Sequence, residues 1–409
     1  MSRKFSETKL PIQSSDRVQL VKDFLEQHYE IKINVFDTSK SFIVARDKKL
    51  YKLEPTLNDI SLHMESEGVR GCDSILKKII NSPNQVITFN PITDYINSLA
   101  GVWKGESHID KLCQHIQARD FGDKTATHYQ DRFKTILKKW LAASIACALG
   151  ERQNDVMIGF VHADEGIGKT FALEFLMPKE LKAYYIKSDK DERYFNITTA
   201  FTRNFMVNFD EFVGITKSTA DTLKKVISST EITINKTFTY SIPRIGNGVF
   251  TSNKTKELGG FLTPEMGYRR FAVIELDSIS HGYSKEVNVD QLWAEAYVLY
   301  KNADFDFVWN LDDFEEFRTY NVNYLVETPA FKLIKEYYRL PELNEESIFK
   351  LPMDILQDLR KARKLSTAMT NVSDVTIGLA LKSLGFVRHG KRINKLQTRY
   401  GYHVIPLFE

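Results

Sequence analysis

Apolar residues in this chain switch between helical and alternating spacing, and the switches outline its elements. In DRVQLVKDFLEQHY, residues 16–29, Val18, Val21, Leu25 and Tyr29 recur at helical spacing and predict an amphipathic helix. IKINVF and SFIVAR, with alternating and β-branched apolar residues, predict two strands. LNDISLHMESEG and SILKKIINS return to helical spacing, and Asn90-Pro91 opens the helix ITDYINSLAG, since proline suits a first helical turn. Residues 1–15 are polar and Ser-rich, and read as disordered. A long helix is predicted from about Tyr129 to Leu149, basic at first and then apolar enough to be buried.

Beyond it the pattern changes class. VMIGFVHA, AYYIK, FMVNFDEF, GVFTSN and FAVIEL are short apolar runs separated by helical stretches, the alternation of a mainly parallel α/β sheet. Residues 288–340 read as helical and aromatic-rich. The last 65 or so read as a separate unit of two helices and a basic β-ribbon, with turns near His389-Gly390 and Tyr400-Gly401. Asn371 or Ser373 caps the second of those helices, which stops at Gly385. Four segments follow: 1–125, mainly helical; 126–285, the α/β core; 286–344, a helical extension; and 345–409, a small basic domain.

Length and charge narrow the function. A chain of 409 residues is large enough for several domains, and its net charge of +3 predicts no nucleic-acid partner by itself. The distribution of charge does. From Lys361 to His403 Asp374 is the only acid, against many lysines and arginines, which points to a phosphate-rich partner. Cys72, Cys113 and Cys147 are far apart and read as buried apolar residues in a reducing cytosol, not as a zinc site. The start MSRKFSETKL has no apolar core, and no apolar run reaches the roughly 20 residues that span a bilayer, so no membrane and a cytoplasmic location are expected.

The chemistry concentrates in the apolar runs' polar ends. Ile158–Glu174 is a strand, then Ala163-Asp164-Glu165-Gly166-Ile167-Gly168-Lys169-Thr170-Phe171, then a helix: the order a phosphate-binding P-loop requires. Gly166 and Gly168 allow backbone N–H groups close to phosphate oxygens, Lys169 is suited to the β- and γ-phosphates, and the Thr170 hydroxyl to Mg²⁺. Ala163 stands where a first glycine is usual. The next strand ends in Asp210-Glu211, which suits Asp210 to Mg²⁺ and Glu211 to the attacking water. A third ends in Thr251-Ser252-Asn253, where Asn253 can meet the γ-phosphate or that water. Arg269-Arg270 precede another strand, either as surface charges or as groups entering a neighbouring subunit's site.

EGIGKT, NFDEF, TSN with GYRRF, and above all DQLWAEA at 290–296 together resemble the virulence-associated protein E family of superfamily 3-type helicases, carried by phages and mobile elements. Weaker agreement runs through FNPITDYINSLAGVWKGESHID, so the resemblance spans roughly residues 85–340. It implies an AAA+-like P-loop ATPase core using ATP and Mg²⁺, a homo-oligomeric ring (a hexamer), and shared sites in which Arg270, with Arg269 as second choice, acts on the neighbour. It also implies a DNA-gripping β-hairpin, here Glu231–Tyr240, where Lys236 can contact a phosphate and Phe238 can stack on a base or wedge the backbone. The tip carries one lysine, fewer than some relatives. No strand-borne Asp-x-Asp occurs in residues 1–125, so priming would fall to a separate primase or other replication protein.

The fold expected is therefore α/β: the AAA+-like P-loop core, a mainly helical N-terminal domain and a small C-terminal winged-helix-like domain. In the last, Arg388, Lys391, Arg392, Lys395 and Arg399 are placed to meet DNA phosphates. The function expected is an ATP-dependent ring helicase that unwinds DNA during replication of a mobile or phage-like element, on single-stranded and duplex DNA. The alternative is an ATP-switched DNA-binding scaffold, loader or defence protein without robust unwinding.

Overall fold

Side-chain caps and left-handed glycines set many element boundaries in the computed structural model, which describes residues 14–34, 42–47, 50, 55–82, 85, 87–188, 195–213, 217–235, 239–263, 266–342, 345–362, 372–394 and 397–407. The chain divides into two compact units, Met1–Asn97 and Ser98–Glu409. The expected boundary at 125 lies well inside the second.

The first unit contains α1 (Ser14–His28), β1 (Tyr29–Asn34), β2 (Phe42–Ala45), α2 (Leu57–Ser66), α3 (Asp73–Ile80) and β3 (Ile87–Phe89). Its sheet has the order β2-β1-β3, with β1 antiparallel to β2 and parallel to β3. The third strand was too short to register as a pattern. Tyr29 opens β1 instead of closing the helix, and Val18 is exposed while Phe24 is buried, so the inward stripe of α1 is Val21, Phe24 and Leu25. Of residues 1–15, expected to be disordered, Ser14 and Ser15 instead open α1, and 1–13 lie outside the described residues.

α4 (Pro91–Ser98), at the end of the first unit, begins as predicted: Asn90 Oδ1 accepts from the N–H groups of Ile92 and Thr93. The second unit continues with α5 (His108–His115), β4 (Ile116–Ala118), α6 (His128–Ala148), β5 (Met157–Val161), α7 (Lys169–Phe175), β6 (Tyr185–Lys187), α8 (Ile197–Arg203), β7 (Met206–Phe209), α9 (Lys217–Ile227), the hairpin β8 (Glu231–Asn235) and β9 (Thr239–Pro243), β10 (Asn247–Ser252) and β11 (Phe271–Ile279). Six of these strands form one sheet in the order β4-β11-β5-β10-β7-β6, parallel except where β4 pairs β11. Strands covered on both faces need continuous apolar runs, which is what the sequence displays. Close packing dictates some residues outright. A Cβ on Gly159 of β5 would lie 2.1 Å from the Phe250 ring of β10.

The rest of the unit is α10 (Tyr283–Glu286), α11 (Val289–Lys301), α12 (Leu311–Asn321), α13 (Pro329–Tyr337), β12 (Tyr338–Arg339), β13 (Ile348–Lys350), α14 (Pro352–Lys361), α15 (Asp374–Ser383), β14 (Arg388–Asn394) and β15 (Gln397–Pro406). The DQLWAEA motif is the start of α11, and its polar residues clasp residues 102–109. Gln291 Oε1 accepts from Lys104 N–H and its Nε2 donates to Val102 O, both at 3.0 Å. One turn on, buried Glu295 accepts from Ser107 Oγ at 2.6 Å and Ile109 N–H at 3.0 Å. Trp293 donates to Leu176 O, just past α7, at 2.7 Å. These bonds, with the β4–β11 pairing, are why residues 98–125 belong to the second unit.

Two C-terminal expectations are corrected. The boundary at 344 cuts through an intact assembly: β12 pairs the end of β15, and one apolar core runs from Met157 to Val404. The last residues are therefore not a unit of their own. Nor do turns fall at His389-Gly390 and Tyr400-Gly401. Both pairs lie inside the ladder, His389 opposite Gly401 and Gly390 opposite Tyr400. A Cβ on Gly401 would meet Lys350 O at 2.5 Å, so this glycine marks a close approach of β13 rather than a bend. Ser373 caps α15 through Thr376, and Gly385 ends it with φ +86°. Asn371 lies outside the described residues. No helix among the described residues is long and apolar enough to cross a membrane. The three cysteines are buried and free, and burial pushes the Cys113 thiol up to about 12.

Candidate active site

β10 lies between β5 and β7, so the carboxyl ends of these three strands come together. Ser252 pairs Val161 on one side and Phe250 pairs Phe209 on the other. β5 is also where the order of strands along the chain reverses, the usual place for a ligand in an open parallel sheet. Three polar loops meet there: 162–170 after β5, 210–211 after β7, and 252–253 closing β10.

The first loop is held open by glycine. Gly166 has φ +80° and Gly168 φ +98°, both in the region that side chains avoid. Among the described residues, no group accepts a hydrogen bond from the N–H of Glu165, Gly166, Ile167 or Gly168. Four backbone donors in a concave loop form a nest for an anion. Lys169 is buried, and its Nζ donates to His162 O at 3.1 Å and Asp164 O at 2.6 Å. Burial lowers its pKa against the nearby acids Asp164, Glu165, Asp210 and Glu211, and an anion beside it would favour the charged form. Ala163 and Asp164 are exposed at the loop's start, and Phe171 is exposed on α7.

Asp210 is the hub. Its Oδ1 accepts from Thr170 Oγ1 at 2.6 Å and from Thr251 Oγ1 at 2.7 Å, while Lys187 Nζ stands 3.2 Å from Oδ2. Burial works to raise its pKa, but the bonds from Thr170, Thr251 and Lys187 outweigh it and hold the carboxyl below the usual 3.8. The two residues expected at a metal, Thr170 and Asp210, are therefore in direct contact. One carboxylate and one hydroxyl suit Mg²⁺, which keeps water and phosphate oxygens as its other ligands. Among the described residues there is no group of three acids, histidines or cysteines that would hold a metal alone.

Glu211 stands apart in its backbone. Its φ of +50° is the only positive value for a non-glycine residue among those described. The conformation is fixed by Thr251: Glu211 N–H donates to its Oγ1 at 2.9 Å, and Phe212 N–H to its carbonyl at 2.6 Å. Phe212 is then buried against Phe209, Phe250 and Phe271, which leaves the Glu211 side chain exposed at the strand end. Strain of this kind, held by surrounding packing, is common where a side chain must be aimed. Asn253 Nδ2 lies 3.4 Å from Glu165 Oε1, which brings the third loop to the first.

Arg269 and Arg270 are not at this cluster in their own chain. β11 runs parallel to β5 with Phe271 opposite Met157, so both arginines sit at the other end of the sheet, roughly 15 Å from the loop after Val161. Arg270 Nε donates to Ser228 Oγ at 3.1 Å, and Arg269 lies over the Phe314 ring at 5.1 Å. Burial, with Arg269 beside it, lowers the Arg270 pKa, and Asp155 counters this.

Of the expected DNA contacts, Lys236, Phe238 and Lys395 lie outside the described residues. Arg388, Lys391, Arg392 and Arg399 are exposed on β14 and β15. Lys391 stands opposite Arg399 in the ladder, and Arg388 lies over the Tyr400 ring at 4.8 Å. Sequence reasoning missed Thr251 and Lys187. Thr251 stood in the quoted TSN, and a hydroxyl beside an amide at a strand end was the available signal; nothing marked Lys187.

A family model described as the virulence-associated protein E-like domain matches residues 96–324, more than half of the chain. No curated protein matches. Among solved structures, the apo NrS-1 C-terminal region (305-718) is similar at 13% identity and TM-score 0.45, covering 96% of this chain and 99% of that one. A structure of JCV helicase is similar at 13% identity and TM-score 0.29, covering 79% and 83%. On the family match, the chain belongs to the virulence-associated protein E-like domain family.

Proposed function

We propose that this chain is an ATP-hydrolysing, ring-forming DNA helicase of the superfamily 3 type, working in the cytoplasm on the replication of a mobile or phage-like element. The observation that carries this reading is the contact of Thr170, Asp210 and Thr251 at one end of the sheet, beside a glycine loop with unpartnered N–H donors and a buried Lys169. In this reading Ala163–Phe171 cradle the triphosphate and Lys169 turns from its carbonyl partners to the β- and γ-phosphates. Thr170 and Asp210 would hold Mg²⁺, which neutralises charge on the phosphates. Glu211 accepts a proton from the attacking water, and Asn253 orients that water or the γ-phosphate.

Arg270, with Arg269 as second choice, is assigned to the site of the neighbouring subunit. Its position at the far end of the sheet supports this, because it leaves no route to the site of its own chain. A site shared in this way needs a closed ring, for which the family resemblance suggests six copies. The six-stranded sheet with its flanking helices is then the motor, and α11 and α12 are its helical extension.

The C-terminal segment is read as winged-helix-like and DNA-binding. The chain order α13, β12, β13, α14, α15, β14, β15, with β15 paired to both β13 and β14, supports that reading. So does the facing pair Lys391 and Arg399: like charges opposite each other cost stability unless an anion such as phosphate lies between them. Phosphate release from ATP is the direct test. The wild-type chain should hydrolyse ATP only with Mg²⁺, and Lys169→Ala should remove at least about 100-fold of the rate. Hydrolysis undiminished by Lys169→Ala would reject the assignment.

A further inference from the structure

α15 is the helix that a winged-helix reading sets against DNA, yet its outward face is apolar. Val375 is 66% exposed, Leu379 is half-buried one turn on, and Lys382 is the helix's only cation. Met353 on α14 is 55% exposed, Val387 just before β14 65%, and Tyr400 on β15 53%. Together these side chains line an open groove of about 1030 Å³. Single exposed apolar residues are ordinary, whereas a contiguous set rimmed by polar groups marks an interaction site.

The rim decides the occupant. Arg318, Lys382, Arg388 and Arg399 border the groove, and Asp374 is the only acid among the residues that line it. A nucleic acid would satisfy the charge but not the floor. Bases bind by stacking on exposed aromatic faces, and of the three aromatic residues that line the groove Phe386 and Tyr402 are buried. The Tyr400 ring has the Arg388 guanidinium 4.8 Å over it. The chain's own neighbouring segment, 363–371, carries Arg363 and Lys364 and no acid, so it does not complement the rim. A peptide with apolar anchors and flanking carboxylates matches both floor and rim.

We infer that this groove docks an acidic, apolar-anchored peptide segment of a separate partner protein, with Val375, Leu379 and Met353 receiving its anchors and Arg318, Lys382 and Arg388 its acids. The inference does not depend on ATP hydrolysis. It assigns DNA phosphates to the Lys391–Arg399 pair and a protein to the groove beside it.

The test is selection of a phage-displayed random peptide library on the full chain, followed by fluorescence anisotropy with the fluorescein-labelled consensus peptide. The consensus should place Asp or Glu next to Leu, Ile or Phe, and its binding should weaken with salt. Val375→Asp and Lys382→Glu should each raise Kd at least about tenfold while thermal unfolding and ATP hydrolysis stay unchanged. Because Val375 and Lys382 are exposed, neither change removes a core contact. Four outcomes overturn the inference: no selected consensus, a consensus without acids, affinity unchanged in both variants, or a Val375→Asp chain that instead loses tenfold in binding to labelled single-stranded DNA or changes the mass of the assembly. The last two readouts would give the groove to nucleic acid or to a second copy.

Discussion

Thr251 shows how little of an active site need be acidic for its geometry to be set. One hydroxyl donates to Asp210 and accepts from the Glu211 backbone, so it fixes together the two acids proposed to face the metal and the water. Thr251→Ala should therefore lower ATP hydrolysis about 10–100-fold, the usual cost of losing a group that orients a ligand, while Thr251→Ser restores most of it. Unchanged turnover in Thr251→Ala would show that the acids hold themselves. Acid should act late here. Asp210 has a folded-state pKa held below 3.8, so its contribution to stability is present above that value and is lost as pH falls through the lower one. The acids, the glycines and Lys169 were legible in the sequence because phosphate chemistry demands those types at that spacing. Thr251 and Lys187 were not, because a hydroxyl or a lysine is common at strand ends and only the β7–β10–β6 neighbourhood gives them a partner.

At the scale of elements, the buried strands were legible because both faces are covered, and α6 because from Trp140 on it is apolar but for Ser144. What failed was long-range pairing. β3 and β12 are three and two residues long, too short for any period, and they form only because β1 and β15 offer a free edge. The glycines of the C-terminal ribbon read as turns, yet Gly401 is there because β13 comes too close for a Cβ. The DQLWAEA motif was recognised without a reason, and α11 supplies one. Gln291 and Glu295, one turn apart, satisfy backbone groups of residues 102–109, while Trp293 reaches Leu176 beyond α7. Glu295→Ala should cost about 1.5–3 kcal/mol in chemical denaturation, because it strips a charged acceptor from a buried N–H. Glu295→Gln, which keeps an oxygen, should cost less. Equal stability of all three chains would make the motif's role functional rather than structural.

At the scale of the molecule, the proposed motor is incomplete in one chain. The loop after β5 and Arg270 lie at opposite ends of the same sheet, so in the proposed mechanism the arginine comes from a second copy. Arg270→Ala and Lys169→Ala chains should each be inactive, and mixing them should restore part of the hydrolysis, since some interfaces then pair an intact loop with an intact arginine. No recovery at any ratio would remove the shared site. The family was legible from four short motifs, whereas the division of the chain was not: residues 98–125 carry only the weaker agreement that ends at Asp110, and what ties them to the second unit is hydrogen bonding and strand pairing. Strand displacement on a forked DNA, comparing the wild-type chain with Glu211→Gln, tests the whole account most directly. The account predicts displacement that needs ATP and Mg²⁺ in the wild type, and none in Glu211→Gln although it still binds ATP. Displacement by Glu211→Gln at the wild-type rate, or none by a wild type that hydrolyses ATP, would contradict it.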